Sequence, residues 1–106
     1  MIHSAVDKHR SKGWFLGPWN SKVPIPLGYA NQGINERHYH KHMFEIYLVA
    51  NGESTVMIDG REIDLKAGDM IVVEPNEVHS FIRNSDDYLH FVVNVPFVKD
   101  DKVVVE

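Results

Sequence analysis

Turn signals recur at short intervals through the second half of the chain, and this spacing constrains the fold more than any other feature. Asn51-Gly52, Asp59-Gly60 and Gly68-Asp69 separate short segments rich in β-branched and aromatic residues. Asp-Gly between two alternating segments favours a two-residue hairpin turn, because both central positions require positive φ. A helical repeat is almost absent. The pattern therefore predicts an all-β sandwich or barrel.

The same turn signals mark the ends of six predicted strands. The predicted strands cover Glu45–Ala50, Glu53–Ile58, Arg61–Leu65, Met70–Val73, His79–Arg83 and Tyr88–Val95. The valines at 103–105 also need a partner strand, within the barrel or across a dimer, since an unpaired apolar edge promotes association.

The 106 residues fit one domain, because a chain of this length buries a single core. We divide it into an N-terminal arm, residues 1–22, packed on the barrel or on a dimer partner, and a barrel domain, residues 23–106. Trp14 and Trp19 stand among helix breakers, which favours a packed loop; they could cover the barrel mouth, plug a core or form an interface. We expect a homodimer, since paired subunits are the commonest assembly.

Charge and cysteine content exclude several functional classes. The net charge is −4, and the longest basic stretch, residues 9–12, is too sparse to neutralise a run of phosphates, so we expect no nucleic-acid partner. The absence of Cys excludes disulfides and thiolate metal sites. Without a signal peptide or a run of about 20 apolar residues, we expect no membrane partner and a cytoplasmic location.

Three of the seven His residues lie within six consecutive positions. Because strand side chains alternate, His38 and His40 project from one face and could share a metal ion. Glu45 follows His40 by an odd interval, which would place it on the opposite face of a continuous strand. Met43 and Phe44 must therefore lie in a bend or bulge if Glu45 is to join the two imidazoles.

The spacing His38-x-His40-x4-Glu45-x6-Gly52 resembles the first sequence motif of cupins. The segment from Gly68 to His79 resembles the second motif, with Glu74 at the family's Pro position and Asn76 in place of its second Gly. Asn tolerates the left-handed backbone that such a Gly provides. Arg83 stands where the second motif ends with Asn. The resemblance covers about residues 33–96.

The resemblance implies the double-sheet jelly-roll barrel of cupins, also called a double-stranded β-helix. It also implies one divalent transition metal, which the mixed nitrogen and oxygen donors allow to be Mn, Fe, Co, Ni, Cu or Zn. The implied ligands are His38, His40, Glu45 and His79. His42 falls outside this set, since a ligand pair His40-x-His42 would leave only two residues before Glu45.

Cupins with this motif pair include dioxygenases, isomerases, decarboxylases and lyases, and no residue of the chain selects one. Three imidazoles and one carboxylate leave a divalent ion at net +1, which favours a small polar or acidic metabolite as substrate. Alternatively the barrel binds or senses a small ligand without turnover, or it is a structural or storage barrel whose His residues are relics. A zinc ion that takes all four ligands tetrahedrally would also make the site closed and structural. Whether the chain is an enzyme stays open.

Strand parity identifies three further candidates for catalysis. Tyr47 shares a face with the predicted carboxylate ligand and could donate a proton, or it could be a core residue. Arg83 shares a face with the second-motif His and could bind a carboxylate through both nitrogens, or it could be a surface cation. His90 lies on the last long strand, on a face that lines the pocket or meets solvent.

Overall fold

A computed structural model of residues 1–106 contains ten β-strands and no helix. The strands are β1 Lys12–Leu16, β2 Leu27–Ala30, β3 His38–His40, β4 Phe44–Asn51, β5 Glu53–Ile58, β6 Arg61–Lys66, β7 Met70–Val73, β8 His79–Asn84, β9 Leu89–Val95 and β10 Lys102–Val104. They form two five-stranded sheets, in the orders β1-β2-β9-β4-β7 and β10-β3-β8-β5-β6. This architecture confirms the predicted all-β jelly-roll barrel. Nothing in the chain has the helical length and apolarity that a bilayer crossing requires.

Local turn chemistry explains most of the strand boundaries. The six strands predicted from turn signals are all present, and no boundary is displaced by more than one residue. Asp59 and Gly60 have φ values of 47° and 83°, as the predicted two-residue turn between β5 and β6 requires. Asn76 has a φ of 70°, so it provides the left-handed backbone expected of the Gly that it replaces.

A strand near each end of the chain joins one of the two sheets. Lys12–Leu16 forms β1 and pairs with β2, so the prediction of a loop in this stretch is wrong. A Cβ at Gly13 would lie 2.5 Å from the Tyr29 hydroxyl oxygen, so glycine permits this close pairing although it disfavours strands in general. At the other end, β10 pairs with β3 of the same chain, with Val103 opposite Tyr39. The domain division at residue 22 stays a prediction.

The space between the sheets holds an apolar core beside a group of buried polar residues. The core consists of Tyr47, Val49, Val56, Ile58, Leu65, Val73, Phe81 and Tyr88. The buried polar side chains include His38, His40, Glu45, His79, His90 and Asn94. The polar group comes from inward-facing positions of β3, β4, β8 and β9, and these four strands build the candidate site.

Candidate metal centre

Three strands bring together the His/Glu cluster, which consists of the four buried side chains His38, His40, Glu45 and His79. One donor atom from each lies within 4.8 Å of the other three. Because β3 pairs with β8, His38 stands directly opposite His79, and their ring centroids are 4.2 Å apart. Pairing of these two strands therefore joins side chains from the two separate sequence motifs.

A bend between β3 and β4 turns Glu45 toward the imidazoles. The chain bends at residues 41–42, and Phe44 already belongs to β4. The predicted change of face is therefore present, although it begins before Met43. Glu45 then stands opposite Asn94 of β9, in the interior of its sheet.

Asp101 holds this bend from the loop before β10. Its carboxylate accepts hydrogen bonds from the backbone N–H groups of His42 and Met43, at 2.9 and 2.8 Å. It also lies 2.8 Å from Nδ1 of His42, whose side chain is 67% exposed. Burial raises the pKa of Asp101, but these hydrogen bonds outweigh it and the pKa is lowered. His42 therefore lies at the surface, outside the cluster.

The carboxylate of Glu45 occupies the centre of the His/Glu cluster. Its Oε1 lies 3.1 Å from Nε2 of His79 and 3.9 Å from Nε2 of His38, and it contacts Nε2 of His40 directly. Its Oε2 accepts a 2.7 Å hydrogen bond from the Tyr47 hydroxyl. Burial raises the pKa of Glu45, but contacts with the three imidazoles outweigh it, and the pKa lies well below its usual range. The carboxylate is therefore ionised.

The outer nitrogens of two imidazoles are fixed by the backbone. Nδ1 of His38 lies 2.8 Å from the carbonyl oxygen of Glu36, and Nδ1 of His79 lies 3.0 Å from that of Glu77. A carbonyl can only accept, so each Nδ1 donates its N–H to the backbone and Nε2 is the ring nitrogen that faces the cluster. Nitrogen lone pairs and a carboxylate oxygen around one point suit a divalent transition metal. The residues therefore fit the cofactor that the sequence implies.

A cavity of about 310 Å³ gives access to the cluster and is lined by residues of both sheets. His38, His40 and Glu45 line this central cavity, whereas His79 lies behind them and is 1% exposed. Trp14, one of the two aromatic residues proposed for the barrel mouth, also lines it, but Trp19 does not.

Two of the three candidates for catalysis line the central cavity. Tyr47 is buried there, and burial together with the Glu45 charge raises its pKa well above the usual value. The Nδ1 atom of His90 lies 2.7 Å from the Tyr88 hydroxyl oxygen. Burial lowers the pKa of His90 to about 4, although the charge of Glu45 opposes this shift. Burial also raises the pKa of Tyr88 to about 12. At neutral pH these three side chains are therefore uncharged.

Arg83, the third candidate, lies outside the central cavity, so of its two interpretations, a carboxylate binder or a surface cation, the structure matches the second. Consecutive residues of β5 pair with Arg83 and Phe81, which leaves Ile82 unpaired as a β-bulge. The bulge reverses the alternation of side chains after Phe81. The Arg83 side chain is 64% exposed and lies 3.8 Å from the Glu62 carboxylate.

Three cations that line the cavity were not identified from the sequence: Arg10, Lys12 and Lys102. The first two belong to the basic stretch that was considered only as a nucleic-acid contact. Pairing of β1 with β2 brings this stretch to the cavity, and pairing of β10 with β3 brings Lys102 there. Such long-range pairing leaves no signal in a local sequence pattern.

The family model described as "Cupin domain" matches residues 28–95, which is more than half of the chain. The chain is 33% identical over 72 residues to an oxalate-binding protein of Thermotoga maritima, a match that covers 68% of this chain and 56% of that protein. It is 41% identical over 48 residues to quercetin 2,3-dioxygenase of Bacillus subtilis, covering 45% of this chain and 14% of that enzyme. The chain thus spans less than two thirds of the length of either relative.

The fold is also similar to that of solved structures. A cupin protein from Bacteroides fragilis superposes with a TM-score of 0.70 at 22% sequence identity, covering 99% of this chain and 98% of that one. At this identity the similarity concerns the fold alone.

Proposed function

Since the chain belongs to the cupin family, we propose that it holds one divalent transition metal ion in the His/Glu cluster and acts there on a small polar or acidic metabolite. The proposal covers Mn, Fe, Co, Ni, Cu and Zn, because the donor set suits each of them. It covers dioxygenase, isomerase, decarboxylase and lyase chemistry. The observation that carries it is the convergence of four buried donor atoms within 4.8 Å.

Counting protons supports a cation in the cluster. A neutral imidazole has one N–H group, and His38 and His79 use theirs on backbone carbonyls. If both rings are neutral, their Nε2 atoms face the ionised Glu45 without a proton, and lone pairs in such an arrangement repel one another. Extra protons on adjacent buried imidazoles would repel in turn. A single divalent ion between these atoms resolves both conflicts.

A bound divalent ion would supply Lewis-acid polarisation of a ligand oxygen. The surrounding residues position the other groups. Tyr47 fixes one oxygen of Glu45 by its hydrogen bond, which orients the other oxygen toward the imidazoles. His90 is neutral and lines the same cavity, so it can exchange a hydrogen bond or a proton with a bound ligand.

A second candidate function is binding or sensing of a small ligand without turnover. The relative named an oxalate-binding protein favours it, because that protein is named for binding. Under this proposal the His/Glu cluster holds the ion and the cavity holds the ligand, while no bond of the ligand changes.

Assembly and location are further parts of the proposal. We propose a homodimer that forms through the outer face of β4 and β7, where Phe44, Leu48, Met70 and Val72 are between 38% and 57% exposed. Apolar side chains clustered in this way mark an interaction surface. The cytoplasmic location stays a prediction.

Metal titration of chelator-treated protein tests the proposed function. We expect one ion per chain in the wild type and in His42→Gln, a control that alters an exposed His of the same stretch. His79→Gln should lose the ion while it keeps its fold by circular dichroism. Equal metal content in all three proteins would refute the proposed site.

A screen of the metal-loaded protein separates the two candidate functions. Catechols, β-diketones and keto-sugars are incubated with the protein and followed by mass spectrometry. A metal-dependent change in mass supports an enzyme, whereas saturable binding of an unchanged compound supports the binding function.

A further inference from the structure

Positive charge is concentrated at the central cavity, although the whole chain carries a net charge of −4. The cationic rim consists of three exposed residues, Arg10, Lys12 and Lys102. Glu45 is the only carboxylate among the 16 lining residues, and the imidazoles surround its charge. An anionic ligand would therefore enter a cavity whose field attracts it.

One acidic neighbour offsets part of this charge. Glu36 lies 2.9 Å from Nζ of Lys102 and does not itself line the cavity. Arg10 and Lys12 form no salt bridge within 4.0 Å, which leaves the rim and Glu36 together at net +2.

Apolar side chains form much of the remaining wall. They include Trp14, Ile34, Phe81 and Val92. The volume of about 310 Å³ lies at the lower end of the range for small-molecule sites. A ligand that fills this space is thus a small metabolite with a compact apolar body.

Resting on the proposed function, we propose that the cavity takes a small dianion whose two anionic groups are separate. One end supplies oxygen donors to the ion in the His/Glu cluster, and a second carboxylate at the other end pairs with the cationic rim. The cluster with its ion carries net +1, and the rim with Glu36 carries net +2. Positive charge contributed both by the cluster with its ion and by the rim is matched by two anionic groups better than by one.

Calorimetric titration with succinate, glutarate, adipate and their monomethyl esters tests this ligand class on zinc-loaded protein. We expect the best dicarboxylate to bind about fivefold or more tightly than its monoester, since each exposed ion pair contributes about two- to fivefold. The double variant Lys12→Gln/Lys102→Gln should lose this preference. Lys66→Gln, which alters an exposed lysine away from the cavity, should keep it.

A variant that is expected to bind more tightly complements the loss-of-binding variants, because misfolding cannot explain an increase in affinity. Glu36→Gln removes the negative charge beside Lys102, so we expect dicarboxylates to bind about two- to fivefold more tightly. A wild type that binds monoesters as well as dicarboxylates, or a double variant that keeps the preference, would overturn the inference.

Repeating the titrations in chelator separates this inference from the proposed function. If the protein binds no metal but its carboxylate affinity still depends on Lys12 and Lys102, the proposed metal site is refuted and the proposed role of the cationic rim is supported. If the protein binds metal normally but the two lysines have no effect on carboxylate binding, the proposed role of the cationic rim is refuted and the metal site is supported.

Discussion

Replacing Asp101 by Ala tests how the bend between β3 and β4 is held. In the variant the backbone N–H groups of His42 and Met43 lose their acceptor. His42 is exposed and its N–H can turn to water, but Met43 is 7% exposed. An unpaired buried donor costs about 1–3 kcal/mol, so we expect the free energy of unfolding to fall by about 2 kcal/mol.

The effect should depend on pH in a defined direction. The pKa of Asp101 is lowered in the folded state, against about 3.9 in an unfolded chain. Its carboxylate therefore stabilises the fold above that value, and the contribution is lost as the pH falls through the lower folded pKa. We expect the difference between wild type and variant to be complete at neutral pH and to shrink below about pH 4.

Urea unfolding in the presence of chelator, monitored by tryptophan fluorescence, measures the change in the free energy of unfolding and its dependence on pH. Asp100→Asn is the matched control, because Asp100 is exposed with a φ of 59° and Asn tolerates that backbone. The control should change the free energy of unfolding by less than about 0.5 kcal/mol. An Asp101→Ala variant as stable as the wild type, or equally destabilised at pH 3 and pH 7, would refute the reasoning.

Three further predictions concern the site, the core and the surface. Tyr47→Phe removes the hydrogen bond to Glu45 at little change in volume, so metal affinity in chelator competition should fall at least about tenfold; unchanged affinity would contradict the orienting role. Phe81→Ala should lower the free energy of unfolding by about 3–5 kcal/mol, whereas a small effect would mean that the site is loosely packed. Leu48→Lys should convert the dimer to a monomer in light scattering, and a monomeric wild type would contradict the proposed interface.

The parts of the fold that depend on residues close together in the sequence could be predicted. Asp59 and Gly60 require positive φ, and this local requirement fixes the hairpin and its register. Strand alternation likewise placed His38 and His40 on one face. The bend that brings Glu45 to them was a condition of the prediction, and the structure contains it.

The parts that depend on distant pairing could not be predicted. β1 contains three cavity-lining residues, one of them a glycine, and only its partner strand identifies it as a strand. Arg83 was misplaced because the bulge at Ile82 changes the parity of β8 without altering the local sequence pattern. Lys102 reaches the cavity through pairing with β3, more than 60 residues away in the chain.

Anomalous diffraction from crystals of the metal-loaded protein, collected at the absorption edge of the ion, tests the central claim most directly. We predict one peak per chain, about 2.0–2.2 Å from a donor atom of each of His38, His40, Glu45 and His79. A peak at another position, or no peak between these four side chains, would contradict the account.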